Sequence, residues 1–132
     1  MIVYLDASAL VKLVQREAES GALRRFLRRY RDDRRVTSAL SRVEVVRAVA
    51  PGGPSAIAHA RRQLARVDQL ELDATLLDTA AVLAPGSPLR SLDAIHLAAA
   101  LAVGPDLRVV LTYDRRMQAA ASQLGLLFDA PG

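Results

Sequence analysis

Four carboxylates that lie far apart in the chain could meet at one site: Asp6, Glu44, Asp93 and Asp114. Asp6 directly follows an apolar run at residues 2–5, and Asp114 follows another at residues 108–112, so each stands at the end of a predicted strand. In open parallel sheets, sites form at the edge where the strands end, near the point where the strand order reverses. If the two strands are central neighbours, their carboxylates come together, and the other two join from the first turns of helices that face the same edge.

An acidic cleft of this kind predicts a hard divalent cation. Four carboxylates in one cleft repel each other and are costly to desolvate unless a cation binds among them. Oxygen ligands favour Mg²⁺ or Mn²⁺, and either ion could activate water for hydrolysis of a phosphodiester in RNA or DNA. The chain has no cysteine, which excludes thiolate ligands, so a metal must be held by oxygen or by His59 and His96.

The elements that must position these acids alternate along the chain. Apolar runs predict strands over residues 2–5, 36–37, 70–72, 108–112 and 126–128. Amphipathic and apolar periodicity predicts helices over residues 9–14, 18–30, 38–50, 56–67, 75–83, 91–101 and 115–125, with a break near residues 20–21 and a polar turn at residues 31–35. We therefore predict an α/β fold with a mostly parallel sheet covered on both faces.

Four motifs in order resemble those of the PIN-domain family. They lie at residues 3–12, 37–45, 91–98 and 111–117, one around each carboxylate, and together span nearly the whole chain. Any one alone would be a weak signal, but the ordered set is specific. The size and the absence of room for a second domain are similar to those of VapC-type toxins, so residues 1–132 are expected to form a single PIN-like domain.

The resemblance implies more than the residues alone do. It implies a three-layer α/β/α fold with about five strands and an endoribonuclease that depends on Mg²⁺ or Mn²⁺. It implies a cognate antitoxin that inserts a peptide into the acidic cleft, and a homodimer. On this basis the carboxylates match the family's catalytic and metal-binding positions, and the hydroxyls of Ser8 and Thr112 match the positions beside them.

Several of these residues also have simpler interpretations. Glu44 could close a capping box with Ser41, Asp93 could interact with a helix dipole, and Asp114 could cap the last helix. Asp6 is harder to explain structurally, because an acid directly after a buried strand needs a partner and no cationic residue precedes position 12. His96 lies three residues after Asp93 and could support the site, but a packed or paired histidine is the favoured interpretation. His59 is expected at the surface.

The amino-acid composition predicts a basic surface. The net charge is +4, with seventeen arginines and one lysine, and arginine suits planar contacts with phosphate. The basic stripe on the second predicted helix and its turn could contact RNA or an antitoxin, or could be a solvated face; its foremost candidates are Arg24, Arg25 and Arg28. Aromatic residues make up only 4% of the chain, so a base-stacking surface is not expected. Without a signal segment or a long apolar run, a cytoplasmic location is expected.

Other functions fit less well. A receiver domain would need an acid pair near the first strand and a lysine after a late strand, whereas the sole lysine is Lys12. A haloacid-dehalogenase-like phosphatase would need an acid at the position of Ser8. No phosphate-binding glycine loop lies between a strand and a helix. A PIN-like scaffold without activity and an RNA-processing nuclease that is not a toxin remain as alternatives.

Overall fold

The computed structural model describes residues 1–132 as five strands and seven α-helices. The strands are β1 (Ile2–Leu5), β2 (Arg34–Ser38), β3 (Asp68–Leu70), β4 (Leu107–Leu111) and β5 (Phe128–Asp129). The helices are α1 (Ala7–Val14), α2 (Ser20–Arg29), α3 (Ser41–Val49), α4 (Pro54–Leu64), α5 (Ala74–Ala81), α6 (Ser91–Val103) and α7 (Arg115–Gln123). Short 3₁₀ turns follow α3 and α6. None of the helices is both long and apolar enough to cross a membrane.

All five strands pair in parallel, in the order β3-β2-β1-β4-β5. The first strand is therefore central, with β2 on one side and β4 on the other. The strand order reverses between β1 and β4, so the chain leaves these two neighbours in opposite directions along the sheet. This is the arrangement that the sequence predicted for the strands before Asp6 and Asp114, and the five-stranded parallel sheet is confirmed.

Helices cover both faces of the sheet because successive strand residues point to opposite sides. Val3 and Leu5 are at most 1% exposed and belong to a core formed with α1, α2, α3 and α4. Tyr4, between them, packs on the other face against α5 and α6, where Ala98, Ala99 and Ala100 are also buried. Complete burial of an aliphatic side chain contributes about 1.5–3 kcal/mol, so β1 binds the two helical layers together.

Several element boundaries differ from the sequence prediction. The break between the first two helices lies at residues 15–19, before the predicted one, and β2 includes part of the predicted polar turn. The third strand is Asp68–Leu70 and not residues 70–72. Leu70 packs against the core whereas Leu72 is 36% exposed, so the chain has already left the sheet at residue 71.

The alternative interpretation of Glu44 as part of a capping box at the start of α3 is wrong. Ser41 is the first residue of the helix and not its cap, and the cap position, Leu40, makes no side-chain bond. The Ser41 hydroxyl is fully buried and lies 2.7 Å from the Thr37 hydroxyl of β2. A contact between strand and helix has therefore replaced the local cap, and the Glu44 side chain is free for another partner.

Candidate active site at the carboxyl edge of the sheet

Asp6 lies where β1 ends and is almost fully enclosed, with 2% exposure. It caps α1, since its Oδ1 accepts from the amide of Ala9 at 3.0 Å and from the Ser8 hydroxyl at 2.6 Å. Its Oδ2 accepts from the Thr112 hydroxyl at 2.6 Å. No lysine or arginine forms an ion pair with it, because Lys12 pairs with Glu17 and Glu19. Asp6 is thus a buried acid held by neutral donors.

The electrostatics of Asp6 reflect this enclosure. Burial raises the pKa of Asp6, while attraction from His96 and the hydrogen bonds from Ser8, Thr112 and Ala9 lower it in part. Removal from water therefore outweighs the donors around the carboxylate. A buried acid that costs stability in its charged form is typical of functional sites, where a bound cation relieves the cost.

The raised pKa of Asp6 predicts that Asp6→Asn stabilises the metal-free protein. Folding favours the protonated acid, so this contribution to stability is fully present below the unfolded-state pKa and is lost as pH rises through the higher folded-state pKa. We expect Asp6→Asn to raise the melting temperature at pH 7 by about 2–4 °C, with the gain disappearing near pH 4.

Calorimetry from pH 4 to 8 in EDTA measures this effect. Asp78→Asn, at an exposed acid of α5, is the matched control and should leave the melting temperature unchanged. A clear fall in the melting temperature of Asp6→Asn at pH 7 would instead show that Asp6 stabilises the fold.

Asp114 is joined to Asp6 through Thr112. The Thr112 hydroxyl donates to Asp6 and accepts from the amide of Asp114 at 3.2 Å. One oxygen of Asp114 caps α7, accepting from the amides of Arg116 and Met117, as the simpler interpretation of the sequence expected. The other oxygen faces Arg90, so capping leaves half of this carboxylate available to the cleft.

Asp93 enters the same cleft from the first turn of α6, where it is 8% exposed. Arg90, which occupies the cap position of α6, donates through Nε to Asp93 at 3.3 Å and through Nη2 to Asp114 at 3.5 Å. Arg90 therefore bridges two of the candidate acids, a contact that sequence reasoning missed. The only indication of this contact in the sequence is that Arg90 directly precedes the third acidic motif.

The bridge predicts that Arg90→Gln binds Mn²⁺ more tightly. The guanidinium has to give up two carboxylate contacts before both acids can contact an ion. Arg90 is largely exposed, so each contact is weak, and we expect about a two- to fivefold gain in affinity in the absence of RNA. Calorimetric titration with Mn²⁺ measures it, with Arg116→Gln, an exposed arginine without an ion pair, as the control. Weaker binding by Arg90→Gln would contradict competition.

Glu44 reaches the cleft through His96. Its Oε1 lies 2.6 Å from His96 Nε2, and His96 Nδ1 lies 2.7 Å from the Tyr4 hydroxyl. An ionised carboxylate only accepts, so Nε2 carries the hydrogen that bonds to Glu44. Burial and the charge of Asp6 raise the pKa of Tyr4 well above its usual value, so the phenol stays protonated. His96 is paired, as expected, but its partner is a candidate site residue.

The donor set has the chemistry that a hard divalent cation requires, since all four acids offer carboxylate oxygens. A continuous set of hydrogen bonds and ion pairs runs from Asp6 through Thr112, Asp114 and Arg90 to Asp93, and His96 links Tyr4 and Glu44 beside it. No group of three or more acidic or histidine side chains is drawn tightly enough together to hold an ion in this arrangement, in which Arg90 bridges Asp93 and Asp114. The residues fit a metal in kind and location, and their side chains would have to turn toward it.

Comparison with known proteins identifies the family of this chain. The family model described as PIN domain matches residues 3–123. The chain belongs to the PIN-domain family. Ribonuclease VapC46 of Mycobacterium tuberculosis is 52% identical to it over 98% of this chain and 97% of the relative. Ribonuclease VapC35 of the same species is 44% identical over 99% and 98%. Both relatives match this PIN domain along almost their entire length.

Two solved structures have the same fold as this chain although their sequence identity to it is low. VapC20 of M. tuberculosis, a toxin described as cleaving the sarcin-ricin loop, superimposes with a TM-score of 0.73 at 22% identity, covering 89% of this PIN domain and 94% of that chain. VapBC2 of Rickettsia felis, solved with a DNA fragment from its promoter, gives a TM-score of 0.74 at 13% identity with full coverage of both chains. At these identities the likeness concerns the fold alone.

The remaining sequence candidates lie away from the carboxylates. Arg24, Arg25 and Arg28 are exposed on α2, and Arg24 also donates to the carbonyl of Leu13. His59 is half-buried, and its ring lies 3.2 Å from the amide of Gln63, so the expectation of a surface histidine was only partly correct.

Proposed function

We propose that this PIN domain is an Mg²⁺- or Mn²⁺-dependent endoribonuclease and the toxin component of a toxin-antitoxin pair. The observation that carries the proposal is the convergence of Asp6, Asp93 and Asp114 at one edge of the sheet, with Asp6 buried and without a cationic partner. The relatives named as VapC ribonucleases, similar along their full length, support the same activity.

In the proposed site, Asp6, Asp93, Asp114 and Glu44 would hold the ion. When bound, the ion would activate water and stabilise the charge that develops on the phosphodiester during in-line displacement. The Ser8 and Thr112 hydroxyls fix the orientation of Asp6 by donating to its two oxygens. His96 fixes Glu44 in the same way from the opposite helical layer. The protein thus orients Asp6 and Glu44 by hydrogen bonds, whereas Asp93 and Asp114 would have to exchange Arg90 for the ion.

The proposed partners follow from the family and from the basic surface. A cognate antitoxin would bind over the acidic cleft, and a homodimer would bring two clefts into one assembly. The structural similarity to VapBC2 supports an antitoxin partner, without indicating where it binds. An RNA-processing nuclease without an antitoxin is the nearest alternative. A small reading frame next to this gene that suppresses the toxicity of this chain would distinguish the two.

Two experiments test the proposed function together. Purified protein should cleave RNA in Mg²⁺ or Mn²⁺ and not in EDTA, and expression of the chain alone should arrest bacterial growth, whereas expression of Asp6→Asn should not. Sequencing of RNA ends after brief induction would identify the target. Cleavage that persists in EDTA would exclude the metal mechanism. Equal growth arrest by both forms would exclude the nuclease as the cause of toxicity.

A further inference from the structure

A second charged site lies toward the edge of the sheet where β2 and β3 begin, whereas the acids lie where β1 and β4 end. A cavity of about 230 Å³ is lined by seven residues, four of which are arginines: Leu13, Arg24, Leu27, Arg28, Arg35, Gln63 and Arg66. Two of the arginines come from α2, one from β2 and one from the turn after α4. No acidic side chain lines the cavity. This arginine pocket is therefore assembled by three separate elements around one concave space.

None of the four arginines is neutralised within the protein. Other arginines are, since Arg34 pairs with Asp68, Arg90 with Asp93 and Asp114, and Arg108 with Asp33. In the arginine pocket, by contrast, no guanidinium lies within ion-pair distance of an acid. Four positive charges gathered without a counter-charge repel each other, which favours the entry of an anion.

Capping of helix ends accounts for only part of this cluster. Arg24 donates one N–H to the carbonyl of Leu13 at 3.3 Å, and Arg35 donates one to the carbonyl of Leu27 at 3.5 Å. Each guanidinium has five N–H donors, so most of them stay available. The side-chain bonds in this cluster come from Arg24 and Arg35, and the guanidinium groups of Arg28 and Arg66 have no hydrogen-bond partner in the protein. Burial lowers the pKa of Arg35, and repulsion from the nearby Arg66 lowers it further.

The position of the pocket separates it from the acidic cleft. Arg35 is the second residue of β2 and Arg66 precedes β3 by two residues, so the pocket lies toward the edge where these strands begin. The acids lie where β1 and β4 end. Arg35 and the end of β2 at Ser38 are three residues apart, a span of about 10 Å, so the arginine pocket and the acidic cleft are separate sites.

We propose that the arginine pocket binds a phosphate group. Guanidinium groups match phosphate oxygens in pairs, and the cavity has room for one phosphate with part of its attached group rather than for a folded segment. The phosphate could be free, at the end of a chain, or within a nucleic-acid backbone, and these sources share the same recognition chemistry. This inference goes beyond the ribonuclease proposal and does not depend on it.

Substitutions on one helix separate a pocket from a merely basic surface. Arg28→Gln removes a charge that lines the cavity, while Arg25→Gln removes one from the same helix that does not. Arg66→Gln tests the opposite wall, with Arg62→Gln as its control on α4. Arg28 and Arg66 are exposed, so both variants should fold, and circular dichroism checks this.

Calorimetric titration at constant ionic strength, on full-length protein stripped of divalent ions, gives the test. Inorganic phosphate should bind saturably, about tenfold more weakly to Arg28→Gln and Arg66→Gln, and within twofold of wild type to Arg25→Gln and Arg62→Gln. A short oligonucleotide with a 5′-phosphate, compared with its 5′-hydroxyl form, then identifies the source. Preference for the first indicates a terminal phosphate, and equal binding with the same arginine dependence indicates the backbone.

Three results would overturn the proposal. One is the absence of saturable binding by every phosphate probe. Another is equal weakening by all four substitutions, which would mean diffuse attraction to a basic surface. The third is tight binding of a glutamate-rich peptide, with the same dependence on Arg28 and Arg66 but without phosphate binding, which would make the pocket a protein-docking site.

Discussion

Asp6→Asn is expected to lower the rate of RNA cleavage by at least about a thousandfold in saturating Mn²⁺, because a metal site of this kind contributes several kcal/mol to transition-state stabilisation. Asn keeps the size of Asp6 and can still accept from the amide of Ala9, so the start of α1 is preserved. The substitution removes the negative charge and replaces Oδ2, which accepts from the Thr112 hydroxyl, with an amide nitrogen. Single-turnover cleavage of a labelled RNA measures the effect.

The specificity of this loss depends on two comparisons. Asp93→Asn should lose cleavage to a similar extent, whereas Asp78→Asn on the exposed side of α5 should retain it. Because Asp6→Asn is also expected to be more stable than wild type without metal, unfolding cannot explain its inactivity. Near-normal cleavage by Asp6→Asn would remove this residue from the active site.

His96→Gln is expected to lower kcat by about 10- to 100-fold with little change in KM, the usual effect of losing a group that orients an acid at a metal site. His96 is 2% exposed and donates to Glu44, so its loss frees that carboxylate to turn away. Steady-state kinetics in Mn²⁺ measure the two constants separately. His59→Gln, at the half-buried histidine of α4, is the matched control and should behave as wild type.

A positioning role can be separated from a structural one with a double-mutant cycle. If His96 acts through Glu44, His96→Gln should cost much less kcat in a Glu44→Gln background than in wild type. Melting temperatures of all three variants identify any loss of stability. Additive losses of kcat, or losses that follow the melting temperature alone, would contradict the positioning role.

The sequence was sufficient for the parts of the fold that depend on local patterns. The strand before Asp6 and the strand before Asp114 were visible as short apolar runs that end at an acid, and alternation with helices predicted the parallel sheet. Boundaries were less accurate where tertiary contacts decide. The third strand is displaced by two residues because its pairing with β2, and not its own hydrophobicity, selects Asp68–Leu70.

Contacts between distant residues explain what could not be predicted at the candidate site. Glu44 is bonded to His96, 52 residues later, and not to its own helix terminus, because the Ser41 hydroxyl is buried against Thr37. Arg90 reaches Asp114 across 24 residues, and no local pattern indicates that contact. The arginine pocket depends likewise on three elements meeting, so the sequence showed a basic stripe on α2 but not a cavity.

A Mn²⁺ soak of a crystal, read by anomalous diffraction at the manganese edge, shows directly whether Asp6 and Asp93 hold an ion. We expect a peak at the carboxyl edge of β1 and β4, bounded by the carboxylates of Asp6 and Asp93, with Arg90 displaced from Asp93. A well-occupied peak elsewhere, or full Mn²⁺ saturation with Asp6 and Asp93 making no contact with the ion, would contradict it.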